Sequence, residues 1–368
     1  MSITHSGLGR AAALAFLVSA GAGGPGLHAQ EMSFEEYEPR STLVVPENPI
    51  TRAHFPFVDV HNHLRGELTR ARVDSIVAAM DELNLAVMVN LSGGRGDTLR
   101  QRIQALKGPY PNRFVVFANP SYEGIDAPGY AERTAARFER DVRNGAQGLK
   151  IFKDLGLSAV DSRGARIPVD DPRLDPLWAK AGELGVPVLI HSGDPAAFWL
   201  AHDRFNERWL ELKQRPRRKR PADPSWEQIV GEQLNVFRKH PETKFIAAHM
   251  LWMANDLDRL GAVLDSLPNV MVELAAVIYE PGRQPRFAGR FFERYRDRIL
   301  MGKDVWEPSE YYVYFRVLES EDEYFDYYRK RHAFWKMYGL GLPDEVLRKV
   351  YYENALRVIP GLDRSLFP

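Results

Sequence analysis

The stretch Phe55-Pro-Phe-Val-Asp-Val-His-Asn-His-Leu64 is the part of the sequence that decides the fold. Its apolar beginning, Phe55 to Val60, predicts a buried β-strand. Side chains alternate between the two faces of a strand, so Asp59, His61 and His63 are expected to point to one side where the strand ends. Two imidazoles about 6–7 Å apart along one face can close on a single divalent cation. The pair by itself also fits two polar histidines that enter a loop.

The same pattern returns three times, because three later apolar runs also end in a potential metal ligand. His191 ends Val-Pro-Val-Leu-Ile-His, His249 ends Lys-Phe-Ile-Ala-Ala-His, and Asp304 ends Ile-Leu-Met-Gly-Lys-Asp. Five candidate ligands at the ends of four separate strands predict a metal site. The chain contains no cysteine, so disulfides, thiolate metal sites and cysteine nucleophiles are excluded. For histidine and carboxylate ligands Zn²⁺ is the expected cation, and Mn²⁺ also fits.

Beyond residue 50, short apolar runs alternate with amphipathic helical patterns. The eight predicted strands are Phe57–Leu64, Leu85–Ser92, Phe114–Pro120, Gly148–Phe152, Val186–His191, Phe245–His249, Val270–Ala275 and Ile299–Asp304. The predicted helices include Arg72–Leu83, Tyr130–Arg143, Leu174–Leu184, Trp226–Arg238, Leu257–Leu267 and Phe287–Tyr295. Alternation of strand and helix implies parallel strands, and eight such units predict an α/β fold, the (β/α)8 TIM barrel. Active sites of this fold lie at the carboxyl-terminal face of the barrel, where every candidate ligand falls.

The beginning of the chain differs from the rest in composition. A weakly basic start is followed by the apolar stretch Ala11 to Ala20 and by a small residue, Ala29, at which cleavage is plausible. Residues 1–29 are therefore predicted to be a signal peptide, with the protein exported to the periplasm or secreted. A disordered or misassigned start is the alternative. Residues 30–54 are taken as an N-terminal extension and residues 55–368 as the barrel.

Two segments exceed what a barrel requires. A long insertion at residues 195–224 follows the fifth strand and contains the basic run Arg215-Pro-Arg-Arg-Lys-Arg-Pro221. A loop of this length is typical of an active-site lid. Its basic run is interpreted as a solvated charged face in preference to a site for an anionic substrate. The C-terminal part, Tyr311 to Pro368, predicts helices that pack across the barrel, and no chemistry is assigned to it.

The charge balance limits the partners that the protein can have. Lys plus Arg and Asp plus Glu both number 49, so no global field attracts nucleic acid or an anionic membrane. The N-terminal apolar run is too short to span a bilayer. We therefore expect a small-molecule substrate, no nucleic acid and no membrane span, and we leave open a homo-oligomer.

The His-x-His strand, together with His191, His249 and Asp304, resembles the amidohydrolase superfamily. The closing Asn354-Ala-Leu-Arg is similar to the end of the amidohydrolase-related branch, which includes metal-dependent hydrolases and non-oxidative decarboxylases similar to aminocarboxymuconate semialdehyde decarboxylase. The resemblance covers roughly Phe57 to Ile359. It implies that His61, His63, His191 and Asp304 hold the metal, and that His249 handles protons or binds a second metal.

The fourth strand leaves the number of metals open. Gly148-Leu-Lys150-Ile-Phe-Lys153-Asp resembles the segment of binuclear amidohydrolases in which a carbamylated lysine bridges two metals. In that arrangement Lys150 would be carbamylated and His249 would become a ligand. The alternative is an unmodified Lys150 near the rim that binds a substrate carboxylate. We favour one metal per chain.

Three functions fit these residues. The favoured one is a hydrolase in which a metal-activated water cleaves an amide, ester or lactone, with Asp304 as the general base and His249 as its partner in catalysis. The second is a lyase that removes CO₂ from an aromatic or unsaturated acid on the same scaffold, with Arg65, Lys150 and Lys153 as candidate cations. The third, a barrel that binds a ligand without turnover, fits poorly with a complete set of metal ligands.

Overall fold

The computed structural model describes residues 31–332 and 334–368. The predicted signal peptide, residues 1–29, lies outside the described residues. Contacts divide the chain after Leu43. The described part of the first unit, residues 31–43, is almost entirely exposed and contains one turn, in which the backbone N–H groups of Glu36 and Tyr37 donate to Ser33.

The second unit, Val44–Pro368, contains the eight predicted strands in parallel array. Their bounds are β1 Phe57–Asn62, β2 Leu85–Asn90, β3 Phe114–Val116, β4 Leu149–Ile151, β5 Val188–Ile190, β6 Phe245–Ala247, β7 Val270–Glu273 and β8 Ile299–Leu300. Pairing runs in sequence order from β1 to β3 and from β4 to β8. All of the strands are buried, as expected for a parallel sheet covered by helices.

Hydrogen bonds across two seams join the strands into a ring. Between β3 and β4, the Ala118 N–H donates to the Gly148 carbonyl over 2.9 Å, and the Lys150 N–H donates to the Ala118 carbonyl over 2.8 Å. Between β8 and β1, the Val60 N–H donates to the Met301 carbonyl over 2.9 Å. The architecture is therefore the predicted (β/α)8 barrel.

Helices cover the outside of the barrel and begin where the sequence supplies caps. Thr69 Oγ1 accepts from the Arg72 N–H, and Ser225 Oγ accepts from the Gln228 N–H, which satisfies donors that a helix start leaves open. The helices are α1 Arg70–Leu83, α2 Gly96–Lys107, α3 Tyr130–Arg143, α4 Asp175–Glu183, α5 Trp209–Gln214, α6 Trp226–Lys239, α7 Leu257–Ser266, α8 Tyr279–Gly282, α9 Pro285–Arg294, α10 Tyr311–Glu319, α11 Asp344–Arg348 and α12 Asn354–Val358. No described helix is long and apolar enough to cross a lipid bilayer.

The C-terminal part packs against the barrel as predicted. The ring of Phe57 on β1 lies 5.5–6.1 Å from the rings of Tyr311, Phe315 and Tyr351. Apolar residues of α10 and of the turn between α11 and α12 thus cover the first strand. The prediction missed a short antiparallel pair of strands, β9 Phe325–Asp326 and β10 Lys336–Met337. Strands of two residues are too short for periodicity to reveal.

The insertion at residues 195–224 is ordered by its own polar contacts. Trp199 Nε1 donates to the Pro224 carbonyl over 2.9 Å, which joins the two ends of the insertion. Asn206 Nδ2 donates to the carbonyls of Ala197 and Ala201, both over 2.9 Å. The insertion is therefore a structured loop around the short helix α5.

Candidate metal centre

Three of the predicted ligands meet at the carboxyl-terminal end of β1. The carboxylate of Asp304 places Oδ1 3.5 Å from His61 Nε2 and 3.6 Å from His63 Nε2. Ligand atoms of these three residues all lie within 4.8 Å of one another, a group that can hold a metal ion. The Asp304 N–H donates to the His61 carbonyl over 2.6 Å, so the backbone pairing of β1 with the β8 segment fixes this approach.

The two imidazoles are oriented through their Nδ1 atoms. His61 Nδ1 lies 2.9 Å from Glu273 Oε1, and His63 Nδ1 lies 2.9 Å from Ser92 Oγ. A carboxylate at Nδ1 holds the proton there and leaves the Nε2 lone pair for a cation. Burial lowers the pKa of His61 well below its usual value, and lowers the pKa of His63 to about 3. Both rings are neutral at pH 7, which is the form that binds a metal.

The Glu273 carboxylate connects three parts of this centre, although the sequence gives little indication of it. It ends β7, is fully buried, and accepts from the backbone N–H groups of His249 over 2.6 Å and Ala275 over 2.5 Å, besides His61. A Cβ on Gly302 would lie 2.5 Å from Glu273 Oε2, so only glycine fits there. The signal available in the sequence was the alternation of side chains along β7, which turns Glu273 towards the inside of the barrel. For Ser92 the only signal was its place at the end of the second apolar run.

His191 and His249 form a second pair of rings, with centroids 4.3 Å apart. His249 Nδ1 lies 2.6 Å from the Ala275 carbonyl, which requires the proton to be on Nδ1. In neutral His249 the Nε2 atom is then an acceptor, and it lies 3.2 Å from His191 Nδ1. That contact places the His191 proton on Nδ1 and leaves His191 Nε2 as a buried lone pair without a partner among the described residues.

The structure does not bring His191 into the group formed by His61, His63 and Asp304. The His191 ring lies 6.5 Å from the His61 ring, and His191 is not part of the group whose ligand atoms all lie within 4.8 Å of one another. Its orphaned Nε2 nevertheless fits a cation, because a buried acceptor without a donor is costly. The donor set of imidazole and carboxylate groups therefore fits one divalent metal.

The backbone after β6 has an unusual conformation. Four consecutive residues, His249 to Trp252, have φ between 51° and 58°, a left-handed turn without glycine. Each such residue costs roughly 1–2 kcal/mol relative to the right-handed form. The turn places the Trp252 ring 4.4 Å from the His249 ring and 5.7 Å from the His191 ring. Strain of this kind is concentrated at functional sites.

Asp59 has a structural role in the barrel. Its Oδ1 accepts from the backbone N–H groups of His61 over 3.0 Å and Lys303 over 3.1 Å, and its Oδ2 accepts from the Tyr311 hydroxyl over 2.6 Å. Asp59 therefore ties β1, the β8 segment and α10 together and shapes the backbone that carries His61. The Nζ of Lys303 contacts Glu310 Oε2 at 2.6 Å.

Comparison with known proteins identifies the family. Residues 58–361 match the sequence model of the family described as Amidohydrolase. The chain belongs to this amidohydrolase family. No curated protein sequence matches it significantly.

Among solved structures, this amidohydrolase is similar to 2,6-dihydroxybenzoate decarboxylase from Rhizobium, with 16% identity, 83% of this chain and 98% of that chain covered, and a TM-score of 0.54. It is also similar to a dihydroxybenzoic acid decarboxylase from a Polaromonas species with bound manganese and 2-nitroresorcinol, with 17% identity, 83% and 96% coverage and a TM-score of 0.54. A putative amidohydrolase from Staphylococcus aureus has 15% identity, 82% and 99% coverage and a TM-score of 0.52. At these identities the likeness establishes the fold.

Lys150 of this amidohydrolase lies on β4 and reaches the metal centre. The side chain is fully buried, and Nζ lies 3.4 Å from His61 Nε2. Burial lowers the pKa of Lys150 to about 7. A second group, His61, His249 and Glu273, also has ligand atoms within 4.8 Å of one another. Glu273 already accepts from the backbone N–H groups of His249 and Ala275, and His249 Nδ1 donates to the Ala275 carbonyl.

The metal centre opens into a cavity of about 310 Å³. His191, His249 and Asp304 contribute to its lining. Five arginines also line it, and we call them the arginine wall: Arg208, Arg215, Arg218, Arg329 and Arg331. Most of the basic run is exposed, as expected for a solvated charged face, although Arg215 and Arg218 also line this cavity. The C-terminal part supplies the other two lining arginines, Arg329 and Arg331.

Proposed function

We propose that this protein is a metal-dependent hydrolase that cleaves an amide, ester or lactone-type bond of a small molecule. The observation that supports it is the position of Asp304, whose carboxylate lies beside both His61 Nε2 and His63 Nε2 and keeps 29% of its side chain exposed to the cavity. A carboxylate that faces both a metal site and the open space is placed to take a proton from an attacking water.

The residues divide the work as follows. His61, His63, His191 and Asp304 would hold the cation, and Zn²⁺ or Mn²⁺ fits this donor set. When bound, a divalent cation would lower the pKa of water to about 7 and polarise a carbonyl oxygen. Asp304 accepts the proton of the attacking water and returns it to the leaving group. Burial raises the pKa of Asp304, but His61, His249, His63 and Lys150 outweigh it and hold this pKa below its usual range.

His249 has a positioning role that follows from its contacts and a catalytic role that we propose. Its Nε2 accepts from His191 Nδ1, which orients His191. The ring also lines the cavity, within reach of a substrate that enters it. We propose that His249 Nε2 accepts a hydrogen bond from the attacking water and orients it after substrate displaces the His191 contact.

A decarboxylase is the second candidate, and the cations around the cavity favour it. Lys150 lies at the metal centre and Lys153 lines the cavity, although Lys153 Nζ contacts Asp194 Oδ1 at 2.7 Å. Removal of CO₂ needs cations around a carboxylate, which both lysines supply. Arg65, also considered for this role, is exposed and does not line the cavity.

One experiment separates the two reactions. The protein is purified without added metal or chelator, its metal content is measured by elemental mass spectrometry, and esters, lactones, amides and aromatic acids are then supplied. We expect about one metal per chain and acid release from a carbonyl substrate, recorded by pH-stat. Release of labelled CO₂ without hydrolysis would contradict the hydrolase proposal and support the lyase. Two metals, one of which is lost in Lys150→Met, would establish the carbamylated bridge.

We also propose that residues 1–29 are cleaved and that the protein is exported. The supporting observation is the apolar stretch followed by Ala29. The mass of the protein secreted or released from the periplasm tests this, because cleavage after Ala29 removes the first 29 residues, and an intact N-terminus inside the cell would contradict it.

A further inference from the structure

We propose that the arginine wall binds a second oxyanion of the substrate, remote from the bond that reacts at the metal centre. The substrate is then a small acid with at least two separated anionic groups. This rests on the proposed function for the reaction itself, but the binding of the anion does not depend on turnover. The metal centre and the arginine wall line the same cavity, so a single small molecule can contact both.

Charge is the first argument, since the wall has fewer carboxylates than cations. Glu211 contacts Arg208 and Arg218, with Arg208 Nε 2.8 Å from Glu211 Oε2. Glu310 contacts Arg329 Nη2 at 2.8 Å and is shared with Lys303. Among the residues that the structure describes, no carboxylate is found within ion-pair distance of Arg215 or Arg331. The wall therefore carries uncompensated positive charge.

Unsatisfied donors are the second argument. Arg331 Nε is buried without a hydrogen-bond partner among the described residues, and so are both ring nitrogens of His332 beside it. His332 is 7% exposed and lines the same cavity. Its Nε2 lies 3.4 Å from Glu211 Oε1 without forming a hydrogen bond. Buried polar groups of this kind indicate a ligand that completes them.

The origin of the wall is the third argument. Arg208, Arg215 and Arg218 come from the insertion after β5, and Arg329 and Arg331 come from the segment between β9 and β10. Neither segment is needed to close the barrel. Glu211 holds residues of both segments, since it contacts Arg218 and lies near His332. The two additions thus converge on one anion site, and arginine is the residue suited to bidentate recognition of carboxylate or phosphate.

Calorimetric titration of the zinc-loaded protein with two acids tests the proposal. Glutarate is a dicarboxylate, and butyrate is the monocarboxylate that remains when one carboxylate of glutarate is replaced by hydrogen. We expect glutarate to bind at least about tenfold more tightly than butyrate, the effect of one charge-assisted hydrogen-bond pair. Arg215→Met, and the double variant that adds Arg331→Met, should weaken the binding of glutarate and leave the binding of butyrate unchanged. Arg217→Met is the matched control, because Arg217 belongs to the same basic run and is exposed like Arg215, but does not line the cavity.

The outcomes are distinct. Equal affinities for the two acids, or a glutarate preference that survives in Arg215→Met and in the double variant, would overturn the proposal. Inorganic phosphate is titrated in parallel, and tighter phosphate binding that the same variants abolish would identify the oxyanion as a phosphate. The two proposals can also fail separately. If no carbonyl substrate is hydrolysed, but glutarate binds more tightly than butyrate and the arginine variants remove this preference, the hydrolase proposal is wrong and the anion site is supported.

Discussion

The metal centre and the arginine wall line one cavity and are built in different ways. At the metal centre, each ligand follows a barrel strand, and its orientation is fixed by hydrogen bonds to Glu273, Ser92, His249 or the backbone. At the wall, the side chains come from loops outside the barrel, and two carboxylates, Glu211 and Glu310, hold three of them, Arg208, Arg218 and Arg329. The metal centre is thus positioned by the fold, whereas the wall depends on contacts between loops. Substitutions should therefore affect the metal centre and the wall separately.

Asp304→Asn should have the largest effect. An amide has no charge to complete the metal site and does not accept a proton from water, so we expect turnover to fall by about 100- to 10,000-fold. Urea unfolding should show a barrel of unchanged stability, since the backbone N–H of residue 304 and its bond to the His61 carbonyl remain. Retained activity in a folded Asp304→Asn variant would remove Asp304 from the chemistry.

Glu211→Gln should act on the wall alone. Glu211 is fully buried, and its loss leaves the buried guanidinium of Arg208 without its carboxylate, which costs about 3–5 kcal/mol of unfolding free energy. Metal content should not change. Glu207→Gln is the control, because its exposed pair with Arg283 contributes at most about 1 kcal/mol. Metal loss in the Glu211 variant would show that the metal centre and the arginine wall are not independent.

The fold and the metal centre were accessible from the sequence because periodicity reports on strands and helices that the barrel itself requires. Helix α3 begins and ends as predicted, at Tyr130 and Arg143. Strands end earlier than predicted: β8 stops at Leu300, and Asp304 lies in a loop with φ of 82°. An apolar run shows that a strand is present but not where the backbone leaves the sheet to deliver a ligand.

The arginine wall was not accessible in the same way. Arg215 and Arg331 lie far apart in the sequence, on loops without periodicity, and nothing in either loop indicates that they meet. The basic run resembles a solvated surface when it is considered alone. Only the packing of the two loops brings these arginines to one cavity. That packing depends on single contacts such as the one between Glu211 and Arg218.

Glu273→Gln should lower metal affinity by about 10- to 100-fold, the usual cost of removing a carboxylate that orients a ligating histidine. Glutamine has one acceptor oxygen where Glu273 serves His61, the His249 N–H and the Ala275 N–H. Competition with a chelator measures the change. Glu280→Gln is the matched control, since Glu280 is a buried glutamate that contacts Arg283 and lies outside the cavity. Equal losses in both variants would show that general stability, and not the His61 contact, sets metal affinity.

Ser92→Ala should have the smallest effect and gives the sharpest test of orientation at the metal centre. It removes one hydrogen bond to His63 Nδ1, worth about 0.5–1.5 kcal/mol, so metal affinity should fall only severalfold. Ser192→Ala is a close control, because Ser192 follows His191 but its buried Oγ has no hydrogen-bond partner among the described residues. The two variants remove the same atom, and only Ser92 Oγ forms a hydrogen bond with a ligand ring. If chelator competition shows a loss for Ser92 and none for Ser192, the strand ends orient their histidines through single hydrogen bonds; equal values would mean that packing alone holds the His63 ring.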